Sequence, residues 1–248
     1  MNQGFRTLLY VCIHTRHMNK KILALLVLLL PFVALQAQDA QLLAQKVKAK
    51  LATVKDYKAN GVMKTDVRFM KIPVSNVIIY YKNPDRFRIK KQDGIAVTPK
   101  GGLSVNMNAL FAGENYTAVA AGKGVVNGVP VTIIKLLPLD EKSLVVVSTL
   151  YIDEKESLIR KAVSTTKENG TYEIEMEYGR YAKWGLPDKV IFTFSTKDYK
   201  LPKGLAFDYD GGTKPPPAKP GGENEKGRVE ILYKDYTINA GISDAEFK

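Results

Sequence analysis

The sequence predicts a mainly β fold with few helices (α+β), and three observations carry that reading. Hydrophobic periodicity changes from 3.6 to 2 close to residue 55. From there to the end, short alternating segments follow one another, separated by turn-forming residues and not by helices. The composition is that of an ordinary globular chain: 248 residues, 45% hydrophobic and 25% charged, enough for one large domain or two small ones.

The first element is not part of that fold. Met18-Asn19-Lys20-Lys21 is basic, and Ile22 to Leu35 is a run of 14 apolar residues interrupted by Pro31. A membrane-spanning helix needs about 20 apolar residues, so the run is short for a span. A basic start, an apolar centre and a small residue at the cut describe a secretory signal peptide. Residues 1–37 are therefore expected to be removed, with cleavage near Ala37 and the true start at Met18. Both histidines (His14, His17) and the single cysteine (Cys12) precede Met18. Loss of this segment excludes a Ser-His-Asp triad, a Cys nucleophile, a disulfide framework and any His or Cys metal site, and no cofactor or metal is expected. Cys12 precedes the apolar run, so it is not placed as a lipidation site, and an exported, unanchored monomer is expected. The full chain carries 37 basic and 25 acidic residues, a formal +12. Without Arg6, Arg16, Lys20 and Lys21 the balance is 33 against 25. Export argues against nucleic acid as the partner of that charge; a diffuse positive field suits solubility or anionic lipid surfaces.

Asp39 to Val54 reads as a helix: Leu42, Leu43, Val47, Leu51 and Val54 recur at three- and four-residue steps, and Asp39 suits its start. Tyr57 to Phe69 then alternates as a long half-buried strand, followed by Val74–Lys82, the turn Asn83-Pro84-Asp85 and Arg86–Lys91. Further strands are expected at Tyr116–Ala121, Val131–Leu137, Leu144–Ile152, Ser157–Thr166, Thr171–Tyr178, Lys189–Ser195 and Arg228–Tyr236. Between them lie Val126-Asn127-Gly128, Asp153 to Glu156, Glu168-Asn169-Gly170 and Leu186-Pro187-Asp188, all with turn chemistry. Asn106 to Ala112 reads as a short helix ended by Gly113. Gly211 to Gly227, with three consecutive prolines, reads as a flexible excursion within a single domain covering 39–248.

A meander of this length must bury one face. Periodicity alone leaves two solutions open: a strongly curved sheet wrapped around the helices, with an apolar interior suited to an acyl chain, or a filled sandwich.

Four stretches bear on the choice. Ala40-Gln41-Leu42-Leu43 leads through a helix into Lys55-Asp56-Tyr57-Lys58-Ala59. Ile79-Tyr80-Tyr81-Lys82-Asn83-Pro84-Asp85-Arg86-Phe87-Arg88-Ile89 is an aromatic strand, a proline turn and a Phe strand. Leu150-Tyr151-Ile152-Asp153 precedes Leu158-Ile159-Arg160-Lys161, and the chain closes on Tyr236-Thr237-Ile238-Asn239-Ala240-Gly241-Ile242-Ser243-Asp244-Ala245-Glu246-Phe247. In this order they resemble the LolA-type outer-membrane lipoprotein carrier and lipoprotein-sorting family. The resemblance implies a half-barrel closed by the N-terminal helix and a short helical lid. It implies a periplasmic carrier, without catalysis, that binds acyl chains of lipoproteins or other lipids and shuttles them from an inner-membrane release complex to an outer-membrane acceptor. The apolar lining expected is Leu43, Val47, Leu51, Phe69, Tyr80, Phe87, Ile89, Leu110 and Phe111, of which the resemblance carries over Leu43, Val47, Leu51 and Phe87 by position. Two positions depart from the family: Asn83 stands where carriers often have an arginine before the turn proline, and Gln92 to Leu103 lacks aromatics.

Two other classes stand beside the carrier. A periplasmic lipid-binding sensor or scaffold of the same fold would bind a partner protein. A two-carboxylate glycosidase would draw on Asp153, Glu154 and Glu156, but that acidic group falls on a turn, where solvation explains it. Trp184, in a Tyr/Gly loop, reads either as a membrane-headgroup contact or as an aromatic packed over the sheet end, and burial tendency favours the second.

Overall fold

The structure is a computed structural model describing residues 39–67, 70–71, 74–92, 110–111, 115–168, 170–195 and 226–247. The expected signal peptide and nearly all of the Pro/Gly-rich excursion lie outside the described residues, as does Phe69. A helix, α1, covers 39–52, the amphipathic segment expected from its stripe. Eleven strands follow among the described residues: β1 Asp56–Val67, β2 Met70–Lys71, β3 Ser75–Lys82, β4 Arg86–Lys91, β5 Tyr116–Val126, β6 Val129–Pro138, β7 Val145–Asp153, β8 Leu158–Thr166, β9 Gly170–Glu177, β10 Lys189–Ser195 and β11 Lys226–Ile238. Lys226 and Gly227, read as part of the excursion, begin β11.

All the described strands belong to one antiparallel sheet of order β4-β3-β1-β11-β10-β9-β8-β7-β6-β5, with β2 beside β1. The sandwich alternative is thereby excluded for these strands. The sheet is curved and unclosed: β4 and β5 form its two ends and do not pair with each other among the described residues. Curvature has identifiable devices. Register shifts occur at Asn60/Gly61, Ala120/Gly122, Val145/Val147 and Tyr151/Ile152, and an extra residue at each bends its strand. Gly61 is needed at the first, because a Cβ there would lie 2.8 Å from the Leu232 carbonyl oxygen.

The turns obey their residue chemistry. Asn127 and Gly128 both take positive φ (48° and 79°), giving the two-residue β5–β6 hairpin expected of Asn-Gly. Asp153 does not act as part of a solvated acidic cluster. It is buried and accepts a 2.8 Å bond from Arg160 Nη2 across the β7–β8 hairpin, while its Oδ1 accepts from the Glu156 N–H. Arg160 also lies over the Tyr178 ring, 5.3 Å from its centroid. The acidic group is a structural turn.

The chain end is tied back to the helix–strand junction. Asn239, at φ 56°, accepts from Lys55 N–H through Oδ1 at 2.7 Å and donates from Nδ2 to the Thr53 carbonyl at 3.0 Å. Asp56 Oδ1 in turn accepts from Gly241 N–H at 3.0 Å. A 3-10 turn, Asp244–Phe247, then crosses the outer side of β3 and β4.

Of the expected lid at Asn106–Ala112, only Leu110 and Phe111 are described, in a 3-10 turn. A helical lid is not shown. No helix among the described residues is long and apolar enough to cross a membrane.

Candidate functional site

Strand alternation sends every second side chain to the concave face, and register aligns these into rows across the sheet. One row runs Ile134, Leu150, Ala162, Ile174, Phe192 and Val229 from β6 to β11. A second runs Leu136, Ser148, Ser164, Tyr172 and Phe194. Toward β4 the rows become aromatic: Tyr57, Tyr81 and Phe87 align across β1, β3 and β4. Apart from the buried hydroxyls of Ser148 and Ser164, these side chains belong to one continuous apolar interior, shared with Ala40, Leu43, Ala44 and Val47 of α1.

Helix α1 crosses this face at the β5–β8 side. Gln41 Oε1 accepts from the Ala118 N–H of edge strand β5 at 3.0 Å, and Lys48 Nζ lies 5.7 Å from the Tyr116 ring centroid. At its other end Lys50 Nζ donates to the Glu156 carbonyl of the β7–β8 hairpin, and Leu51 lies beside Gly185. Gln41 thus covers one of the backbone donors that an edge strand would expose. Phe111 lies against Tyr116, with ring centroids 6.0 Å apart.

The expected lining is only partly assembled in one place. Leu43, Val47, Ile89, Leu110 and Phe111 are buried in the shared interior, with Leu51 and Phe87 half-buried against it. Tyr80 requires correction: it lies on the opposite face. Its neighbours Ile79 and Tyr81 point inward, whereas Tyr80 meets the Phe247 ring at 6.5 Å and the Lys90 ammonium at 5.1 Å. The pair Tyr80-Tyr81 offers one ring to each face by simple alternation, which fixes only one of them inside.

Two features of the interior were not singled out from the sequence. The first is an aromatic cluster at the β1/β3/β11 end. Tyr57 stacks on Tyr81 at 5.2 Å, Tyr233 stacks on Tyr236 at 5.0 Å, and Tyr181 meets Tyr236 edge-on at 4.9 Å. The bulge between Asn60 and Gly61 lets both Tyr233 and Tyr236 face inward although they are three residues apart. Their hydroxyls are partnered: Tyr57 with Tyr233, and Tyr236 donating to the Pro187 carbonyl at 2.7 Å. Burial pushes the phenols of Tyr57, Tyr233 and Tyr236 well above their ordinary range, and neighbouring tyrosines add to the shift of Tyr57 and Tyr236. Trp184 packs half-buried against this same interior, with Lys183 over its ring, as the packing reading required. The second feature is a fully buried hydroxyl pair, Ser148 Oγ and Ser164 Oγ, 2.8 Å apart. Among the described residues no group of three or more His, Cys, Asp or Glu side chains gathers as a metal site.

No family model matches the chain, and no curated protein matches it. Solved structures share its fold. An outer membrane lipoprotein-sorting protein domain from Vibrio parahaemolyticus superposes with a TM-score of 0.53 at 10% identity, covering 86% of this chain and 97% of its own. A LolA superfamily protein from Nitrosomonas europaea gives 0.53 at 11% identity, over 84% and 97%. A DUF1329 family protein from Desulfovibrio piger gives 0.51 at 12% identity, over 86% and 97%. The resemblance read from four weak motifs holds at the level of the fold.

Proposed function

We propose that this chain is a periplasmic carrier that binds the acyl chains of lipoproteins or related lipids against the concave face of its sheet, without catalysis. The observation that carries this reading is the construction of the β5–β8 half of the interior. Ile134, Leu136, Leu150, Ile152, Ile159 and Ala162 form an aliphatic floor in an open-ended sheet, and the cover above it is a separate helix. Sheet strands are held by ladders of backbone hydrogen bonds, but α1 is held to the sheet by side chains. Lifting it breaks few directional bonds and exposes a smooth apolar surface. An acyl chain replaces one apolar contact by another, so exchange of helix for ligand costs little net burial. Leu43, Val47 and Leu51 then meet the ligand from the helix side, and Leu110 and Phe111, beside Tyr116 of β5, border it; Phe87 and Ile89, in β4, belong to the opposite end of the sheet.

Exported protein is purified from the periplasm and its bound material identified by mass spectrometry. Acyl-bearing species at near-stoichiometric amounts are expected. Folded protein free of lipid but held by a tight protein partner would instead support the sensor or scaffold of the same fold. In the same preparations Leu51→Glu is expected to stay folded, because Leu51 is only half-buried, and to carry little lipid, because a carboxylate facing the acyl chain must bring water with it. Leu51→Met is expected to match the parent.

A further inference from the structure

The outer face of β1, β3 and β4, opposite the candidate site, carries a cluster of cations around one aromatic ring. Lys58, Tyr80 and Arg88 align in register across the three strands. On the flanking rows Lys82 pairs with Arg86, and Lys90 lies opposite Ile78. All five cations share the Tyr80 face by alternation.

Two carboxylates from the end of the chain cover this patch. Asp244 Oδ1 receives Lys82 Nζ at 2.7 Å and Arg86 Nη1 at 2.5 Å. Glu246 receives Lys90 Nζ at 2.5 Å, and the Arg88 guanidinium donates to its carbonyl at 3.4 Å. The Phe247 ring lies between Tyr80 and the Arg86 guanidinium, 5.5 Å from the latter. The arrangement has the form of a bound peptide: two carboxylates two residues apart, each on its own cations, then an aromatic residue on an aromatic floor. Yet none of the segment's residues is buried, and Asp244 and Glu246 side chains are 59% and 39% exposed. Exposed ion pairs are weak and screened by salt. Two carboxylates also leave a cationic surplus. Arg88 Nε is buried with no hydrogen-bond partner among the described residues, and Lys58 acts on Glu246 only through space.

We propose that this face is a docking site for an acidic peptide segment of another protein, and that Asp244–Phe247 is its resident competitor. A segment with carboxylates at the same spacing, followed by an aromatic residue, fits the two cation pairs and the Tyr80 floor. Additional acidic residues would draw on the unused charge of Lys58 and Arg88, which gives an incoming segment its advantage over the resident one.

The test uses the full-length mature chain and a fluorescein-labelled peptide, Ser-Asp-Glu-Glu-Phe, followed by fluorescence anisotropy. Asp244→Asn/Glu246→Gln loosens the resident segment without touching the patch, and its fold is checked by circular dichroism. A tethered competitor acts at high effective concentration, so this variant is expected to bind the peptide at least ~10-fold more tightly than the parent. Adding Arg86→Gln and Lys90→Gln is expected to abolish that binding, and a peptide with Asn and Gln for its acids is expected to show none. Equal peptide affinity in parent and loosened variant would overturn the competitor role. Absence of peptide binding to the loosened variant would overturn the site. Were that variant to bind phosphatidylglycerol vesicles instead, the face would be a membrane contact and the peptide assignment wrong.

Discussion

The two ends of the concave face are built on different principles. At the β1/β3/β11 end, large rings stack at about 5 Å and their hydroxyls reach one another or a backbone carbonyl. Asn239 and Asp56 clamp the same end to the start of β1 with directional bonds. At the β5–β8 end, the floor is aliphatic and its cover is α1, attached by Gln41 and Lys50. Aromatic packing with satisfied hydroxyls specifies one geometry, whereas aliphatic contact is tolerant of what it touches. One end is therefore suited to hold the sheet's shape; on the proposed carrier reading, the other accepts a variable guest.

Substitutions at the two ends should separate stability from lipid capture. The largest effect is expected for Tyr233→Ala, which removes a buried ring from the cluster and leaves Tyr57 without its partner. Denaturant unfolding should show a loss of about 3–5 kcal/mol, with lipid content per folded molecule unchanged. Leu150→Ala, in the aliphatic floor, should cost about 2–4 kcal/mol by the same measurement, but here the acyl species retained should also change. Equal effects on lipid at both ends would remove the distinction.

Smaller changes sharpen it. Tyr57→Phe keeps the ring and deletes the hydroxyl, and should cost about 1–2 kcal/mol. For the Ser148–Ser164 pair, either single alanine should cost about 1 kcal/mol, while the double variant should cost less than the sum.

Alkaline pH should act through the buried tyrosines. The phenols of Tyr57, Tyr178, Tyr233 and Tyr236 all have their pKa raised by burial. The folded state therefore prefers them protonated. Their contribution is complete below the ordinary tyrosine value near ~10 and is lost as pH rises from there toward the folded values. Tyrosinate absorbance of these rings should appear together with loss of near-ultraviolet dichroism above that pH. Titration of all tyrosines with the fold intact would show that the cluster is open to water.

Most of the sheet is legible in the sequence because alternation and turn chemistry are local. Arg86–Lys91 and Lys189–Ser195 have the boundaries that their patterns mark, and Asn127-Gly128 makes the hairpin its residues require. Less legible is whatever depends on register between distant strands. The two-residue β2 has no pattern long enough to mark it. Strand β5 runs on to Val126 because Gly122 and Gly124, poor strand formers alone, are paired by β6. The tyrosine cluster needs the β11 bulge to bring Tyr233 and Tyr236 to one face, and no single-strand pattern reveals a bulge. The helix stripe marks Leu43 and Val47 as facing inward, and both are buried, because helical periodicity is local. Tyr80 was misplaced because composition does not say which of two adjacent tyrosines turns inward.

The central claim is that α1 lifts from the aliphatic half to admit an acyl chain while the aromatic end stays closed. Hydrogen–deuterium exchange with mass spectrometry tests it directly, on delipidated full-length mature protein with and without monomeric 1-palmitoyl-lysophosphatidylglycerol. Binding of this probe is expected to speed exchange in 39–52 by at least ~10-fold, an opening free-energy change of about 1.4 kcal/mol, and to leave β1 and β11 amides unchanged. Saturable binding with α1 as protected as before, or with β1 and β11 opening instead, would contradict the account.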